Sequence, residues 1–252
     1  MRLHERPSLV VTGGSSGIGA AVCLAAARSG WHVWVGYATG GDRAATLAAE
    51  IRELGHSASI VALPLDNPAV MLKGVERMAR PPMPAAAILC GGPAPDISPF
   101  LRLAPDHFRY QLECAVVGHS VLIGELWRQC FRRRSGGHIL AVLSAAQGPA
   151  TAPYMASYVA AKGGFEALLR AAAAELGRAG LRVSVVRPGF VETPMLDVFE
   201  PRLLDLARQS APARRFLQPT EVAEALLAGL LAPPAPGAVA ELPLGQARVA
   251  FA

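Results

Sequence analysis

The chain has 252 residues, 52% hydrophobic and 17% charged, with 25 glycines and 21 prolines; these proportions exclude a disordered, collagenous or low-complexity chain and allow a large core. The excess of 24 Lys plus Arg over 19 Asp plus Glu is too small to call for nucleic acid. Cys23, Cys90, Cys114 and Cys130 lie far apart without a C-x-x-C pair, which speaks against a disulfide framework or a structural metal site.

Short apolar runs alternate with longer Ala/Leu/Arg stretches, the pattern of parallel strands joined by crossover helices. Strands are expected at Leu9–Thr12, His32–Tyr37, Ala58–Leu65, Ala85–Cys90, His138–Leu143, Arg182–Val186 and Ala238–Leu242. Helices are expected at Gly17–Ser29, Arg43–Leu54, Pro68–Arg80, Pro105–Arg134, Ser157–Arg178 and Thr220–Leu231. Several strands are apolar almost throughout, as strands covered on both faces must be. No repeat or linker divides the sequence, so residues 1–252 read as one α/β domain. The proline-marked segment at about 190–218 breaks the alternation and is expected to form a substrate loop or lid.

The first strand runs into Thr12-Gly13-Gly14-Ser15-Ser16-Gly17-Ile18-Gly19. Gly13 suits a tight turn, Gly17 lets backbone N–H groups approach a phosphate, and Gly19 permits close helix–strand contact. A dinucleotide pyrophosphate would sit at the helix N-terminus, where unpaired donors and the dipole favour negative charge. The second strand ends in Tyr37-Ala38-Thr39 with no carboxylate until Asp42. An acidic group there would bond a ribose 2'-hydroxyl and repel a 2'-phosphate, so NADP(H) is preferred and NAD(H) is possible. Ser15, Thr39 and Arg43 are candidate phosphate partners. Asp66, after the third strand, either meets an adenine amine or caps the Asn67-Pro68 loop.

Ile139 to Ala161 is the longest uncharged stretch, but Gln147, Gly148, Pro149 and Pro153 interrupt it, so no membrane span is expected. Arg2, His4, Glu5 and Arg6 precede the first apolar run, so no export signal is expected either. A cytoplasmic protein with reduced thiols follows.

Tyr158 and Lys162 stand four positions apart, hence on one helical face. A neighbouring ammonium would lower the phenol's pKa from about 10 and let it exchange a proton with a substrate oxygen. Ser144, at the end of the fifth apolar run, could orient a carbonyl beside Tyr158.

Thr12 to Gly19, Asp66, Ser144, Tyr158-x-x-x-Lys162 and Arg187-Pro188-Gly189-Phe190-Val191-Glu192-Thr193-Pro194-Met195 together resemble the short-chain dehydrogenase/reductase family, most closely its ketoacyl-carrier-protein reductase branch. The resemblance spans nearly the whole chain. It implies a Rossmann-like, doubly wound parallel sheet of about seven strands and a nicotinamide cofactor. It further implies Tyr158 as acid/base, Lys162 on the ribose and Ser144 on the substrate oxygen. Gly13, Ser15, Ser16, Gly17, Ile18, Tyr37, Ala38, Thr39, Asp66, Gly91, Pro188, Gly189, Val191 and Thr193 would hold the nucleotide, with Pro188 to Thr193 wrapping the nicotinamide.

Three departures stand out. Cys90-Gly91-Gly92-Pro93 replaces the family's N-N-A-G. Ala115 occupies the place of a catalytic Asn that holds a proton-relay water. His119, one turn on, would stand in if it faced the cleft; otherwise it packs. The Ser144-to-Tyr158 spacing is one residue longer than usual, with Gln147-Gly148-Pro149 as the insertion. The resemblance also implies a homodimer or homotetramer, although the C-terminal tail lacks the usual double glycine.

Met195, Leu196, Val198, Phe199, Leu203, Leu204 and Leu206 either roof an apolar substrate or pack an amphipathic helix on the body. Arg132 to Arg134 either dock an acidic carrier or are solvated cations at a helix C-terminus. The leading reading is an NADP(H)-dependent reductase of a ketone or β-ketoacyl carbonyl, free or carrier-bound. The alternatives are an isomerase, dehydratase or cyclase on the same fold, and a non-catalytic NADP(H)-binding protein.

Overall fold

The computed structural model describes residues 6–148, 152–211 and 213–244. One sheet contains β1 (Ser8–Thr12), β2 (His32–Tyr37), β3 (Ser57–Ala62), β4 (Ala86–Leu89), β5 (Gly137–Val142), β6 (Leu181–Val186) and β7 (Val239–Glu241). The strands are parallel in the order β3-β2-β1-β4-β5-β6-β7. The expected doubly wound sheet is therefore found. Its direction of growth reverses between β1 and β4, and a crevice opens at the carboxyl ends of strands at such a point.

Side chains alternate across the strands and feed two cores. Val10 joins Trp34 and Val61 beneath α3 (Pro68–Met78), the helical stretch after β4, and α6 (Ala156–Leu176). Leu9 and Val11 join the opposite cluster beneath α1 (Gly17–Arg28), α2 (Gly41–Glu53) and α8 (Pro219–Leu231). Every residue of β1 and β5 is buried, which accounts for their largely apolar character.

Element boundaries shift where backbone chemistry intervenes. β3 stops at Ala62 and not at Leu65. Leu63 N–H still donates to Tyr37 O at 2.7 Å, but Pro64 has no donor with which to continue the ladder. The single helix expected from Pro105 to Arg134 is helical throughout but not uniform. α4 (Pro105–Leu112) and α5 (His119–Leu126) are separated by a π-helical stretch, Glu113–Gly118. A second, Trp127–Phe131, leads into a closing 3₁₀ turn, Arg132–Arg134. The first widened stretch ends where Gly118 passes the Leu65 carbonyl so closely that a Cβ would overlap it.

Arg132 to Arg134 are exposed and immediately precede the start of β5. They therefore lie at the amino end of the sheet, away from the crevice, as cations closing a helix. Between β6 and α8, Val191 bridges Leu217, and the chain between them carries a 3₁₀ turn, Pro194–Val198, and α7 (Pro201–Ser210). α7 buries no residue fully: Leu203 and Leu206 are exposed, while Leu204 and Ala207 are half-buried. The four cysteines are free. Among the described residues, no helix is long and apolar enough to cross a membrane.

Gly118→Ala is expected to lower Tm by about 4–10 °C, because a methyl cannot fit against the Leu65 backbone. Gly163→Ala, at an exposed α6 position with nothing within 4 Å, is expected to leave Tm unchanged or raise it. Calorimetry of the two variants checks the pair; equal effects would contradict the packing at Gly118.

Candidate active site

The glycine turn opens the crevice. Gly13 and Gly17 adopt left-handed conformations, with φ of 62° and 51°, which glycine reaches without cost from a Cβ. A Cβ on Gly13 would lie 2.9 Å from Gly91 Cα, and one on Gly17 would lie 3.0 Å from Thr193 Cγ2. Thr12 Oγ1 accepts from Gly91 N–H at 3.0 Å, which ties the ends of β1 and β4 together. α1 starts at Gly17 with no acidic residue in its first turn and no side-chain cap from Ser16. Its leading N–H groups are thus free of a protein anion and suited to an external one.

A groove of about 490 Å³ follows this turn. Gly13, Ser15, Ser16, Gly17, Ile18, Ala38, Thr39, Asp66, Gly91 and Thr193 line it. Tyr37 does not: its ring packs beside Gly41 and on the α1–α2 side of the core, because the sixth residue of β2 points towards that face. Arg43 lines the groove in its place. Its Nη2 and the Ser15 Oγ each come within 2.7 Å of the point that a Cβ on Gly40 would occupy. A cation and a hydroxyl therefore converge there. Asp66 stands on another wall and accepts from Tyr110 Oη at 3.4 Å.

An adjoining, mostly apolar chamber of about 100 Å³ contains Ser144, Tyr158, Lys162, Pro188, Gly189, Val191 and Thr193. Ile18, Cys90, Thr193 and Met195 line both spaces and so connect them. Ser144 follows β5 directly. Tyr158 lies in the first turn of α6, and Lys162 lies one turn later. Met195, Leu196 and Phe199 form part of the chamber wall together with Met155 and Phe190. Pro95, Met155 and Phe190 carry no polar signature in the sequence. Pro95 and Met155 lie outside every motif, so no local pattern marks them for such a wall, whereas Phe190 falls within the Pro188 to Thr193 stretch.

The electrostatics differ from the simple tyrosine–lysine expectation. Lys162 Nζ donates to Val142 O at 2.8 Å and lies 5.7 Å from the Tyr158 ring centroid. Burial pushes the Lys162 pKa down to about 8, with Cys90 opposing. Burial raises the Tyr158 pKa, while a hydrogen bond with the Ser144 side chain pulls it the other way. The phenol is therefore held protonated, and Ser144 is the group that offsets its burial. The Lys162 ammonium is directed at the Val142 carbonyl and is not among the groups that shift the phenol. The Cys90 thiol is pushed up to about 12, mainly by burial, so it is neutral.

Ala115 is buried and brings no polar group to the place of the expected Asn. His119 Nδ1 is 3.0 Å from the Ala115 carbonyl, and its ring stacks on Phe165 with centroids 4.1 Å apart. Burial lowers its pKa to about 3, with Lys162 adding to the effect. His119 lines neither space, so the packed alternative holds. Of the Gln147-Gly148-Pro149 insertion, Pro149 lies outside the described residues, whereas Gln147 is placed and bonds Ser144 N–H.

The residues fit a bound nicotinamide dinucleotide. A glycine cradle that a Cβ would fill, an uncapped helix start and a basic corner of the groove make that fit. The short chain dehydrogenase family matches residues 8–203. Over 217 residues the chain is 30% identical to the 3-oxoacyl-[acyl-carrier-protein] reductase FabG of Staphylococcus aureus, covering 86% of this chain and 87% of the relative. It is also 30% identical over 234 residues to the short chain dehydrogenase/reductase astE of Aspergillus oryzae, covering 86% and 85%. In fold it is similar to a short-chain type dehydrogenase/reductase from Mycobacterium ulcerans, with a TM-score of 0.83, 23% identity and coverage of 95% and 89%. The angucycline C-6 ketoreductase LanV with bound NADP is also similar, with a TM-score of 0.81, 23% identity and 93% of each chain covered. The chain belongs to the short-chain dehydrogenase family and is an NAD(P)-dependent oxidoreductase of that class.

Proposed function

We propose that this enzyme reduces an apolar ketone or β-ketoacyl-type carbonyl, free or carrier-bound, to an alcohol with NADPH as the preferred reductant. The observation that carries the reading is the placement of Ser144, Tyr158 and Lys162 around one apolar chamber that opens into a groove ending at Arg43. When bound, the reduced nicotinamide would supply the hydride for the carbonyl carbon. Tyr158 gives its phenolic proton to the oxygen as negative charge develops there, a role that suits a phenol kept protonated by burial. Ser144, whose side chain pulls the phenol pKa back down, orients the oxygen. The Lys162 ammonium stabilises the phenolate left after transfer, and water restores the proton.

Arg43 and Ser15 suit a 2'-phosphate, for which a guanidinium is a strong, charge-assisted partner; NADH lacks that group. The uncapped start of α1 would hold the pyrophosphate, and Pro188, Gly189, Val191 and Thr193 would hold the nicotinamide end. The segment at about 190–218 acts as a lid, with Met195, Leu196 and Phe199 on its inner side. We read residues 1–252 as one domain, cytoplasmic, and joined into a homodimer or homotetramer. The exposed Tyr110 and Val117 on the helical stretch after β4 are suited to a subunit contact.

The depressed Lys162 pKa carries a defined sign. A base with a folded pKa below its unfolded value costs stability while charged, and that cost is relieved as pH rises through about 8 towards the unfolded value. Lys162→Met is therefore expected to raise Tm at pH 7 by about 2–6 °C while lowering turnover. For the unmodified enzyme, kcat/KM for reduction is expected to be level near pH 7 and to fall above about pH 8 as the ammonium is lost; a profile flat to pH 9.5 would contradict the role given to Lys162. In a panel of ketones and β-ketoacyl thioesters followed at 340 nm, Tyr158→Phe is expected to cost about 10²–10⁴ in kcat with NADPH affinity preserved. Arg43→Ala is expected to raise KM for NADPH about tenfold and to leave KM for NADH unchanged. Tight NADPH binding with no turnover across the panel would favour the non-catalytic alternative, and product without NADPH consumption would favour an isomerase or dehydratase.

A further inference from the structure

Ser144 is held from behind by a continuous set of hydrogen bonds. Its backbone N–H donates to Gln147 Oε1 at 3.0 Å, and Gln147 Nε2 donates to Glu166 Oε2 at 3.3 Å. Arg187 grips the same carboxylate with two donors, Nη1 to Oε2 at 2.9 Å and Nη2 to Oε1 at 2.7 Å. Arg170 adds Nε and Nη2 to Oε1 at 3.1 and 2.7 Å. The Glu166 and Arg187 side chains are only 19% and 21% exposed, so water competes weakly for this pair. Arg187, chiefly through its hydrogen bonds, holds the Glu166 carboxyl at about 2, and the group stays charged at any working pH.

The set joins three segments. Ser144 and Gln147 belong to the exit of β5. Glu166 lies one turn beyond Lys162 on α6. Arg187 immediately precedes Pro188, whose carbonyl accepts from Ala145 N–H at 2.9 Å. Gln147 is chemically suited to the link because its amide accepts from Ser144 and donates to Glu166, whereas a carboxylate could only accept. Bidentate pairing by Arg187 fixes the carboxylate plane as well as its position.

We infer that Gln147 and Glu166 are positioning residues: the Gln147–Glu166–Arg187 clasp sets the Ser144 hydroxyl against the Tyr158 phenol by locking the β5 exit to α6 and to the β6 exit. This inference rests on the reading of Ser144 and Tyr158 as the reacting pair. It assigns the extra residue between them a structural purpose, because Gln147 lies within the inserted stretch.

The variants that test it are Gln147→Ala and Gln147→Glu, the latter keeping the acceptor for Ser144 while replacing the donor to Glu166 with a like charge. In ketone reduction with NADPH, each is expected to lower kcat about tenfold with KM for NADPH within twofold, on the scale of lost outer contacts to functional groups. In a Ser144→Ala background the same changes are expected to alter kcat less than twofold, because their effect passes through Ser144. An equal loss in both backgrounds, or none in either, would overturn the inference. A second readout does not depend on turnover. In protein carrying ¹³Cζ-labelled tyrosine, the Tyr158 titration midpoint is expected to rise in Gln147→Ala, in the same direction as in Ser144→Ala. An unmoved midpoint would overturn the clasp even if no substrate is turned over, whereas a raised midpoint in an enzyme inert towards carbonyls would uphold the clasp and count only against the reductase reading.

Discussion

The structure turns on one buried ammonium. Lys162 places its charge among β5, α6 and the mouth of the nucleotide groove, with the Val142 carbonyl at 2.8 Å as its fixed protein partner. No carboxylate is among the groups that shift its pKa; Glu166, one turn along the helix, is occupied by Arg187 and Arg170. A buried charge without an ionic partner is costly, and few sites retain one unless it serves a function. Here the cost is consistent with a group whose best partner, a phenolate, exists only after proton transfer.

The parallel sheet makes this arrangement possible. Its reversal between β1 and β4 places the glycine turn, Cys90-Gly91 and Thr193 around one crevice, and the exits of β5 and β6 deliver Ser144 and Pro188 beside it. The crevice is lined largely by apolar side chains, so burial governs the ionisation of Tyr158, Lys162 and Cys90 alike. Oxygen and sulfur acids are pushed towards their neutral forms, and the amine is brought near neutrality. Proton transfer in such a chamber is governed by the Ser144 side chain beside the phenol and by the Lys162 ammonium, 5.7 Å from the ring centroid.

Much of this was legible in the residues. Continuous apolar strands, the Thr12–Gly19 turn and the Tyr158–Lys162 spacing are local patterns, and each appears in the structure where the pattern places it. Other features were not local. Tyr37 turns towards the α1–α2 core because strand parity decides its face, while Arg43, on the next helix, reaches the groove. The long helix after β4 widens into π-helical turns beside the Leu65 carbonyl, a contact between segments far apart in sequence. The direction of the Tyr158 pKa also escaped a reading of spacing. Four-residue separation places the lysine on the right face but does not reveal that its ammonium is directed at Val142, nor how deeply both groups are buried. Gln147 read as part of an insertion; its role emerged only once Glu166 and Arg187 were seen to converge on it.

The most direct measurement is the ionisation of Lys162 itself. Lys73 and Lys162 are the only lysines in the chain, so protein labelled with ¹³Cε-lysine gives two resonances, and exposed Lys73 serves as the internal reference. Titration from pH 6 to 11 is expected to show Lys162 changing charge near pH 8, well below the ordinary lysine range. A Lys162 midpoint at or above that of Lys73 would show the ammonium to be solvated or ion-paired, and would contradict the account of a desolvated charge held ready for the phenolate.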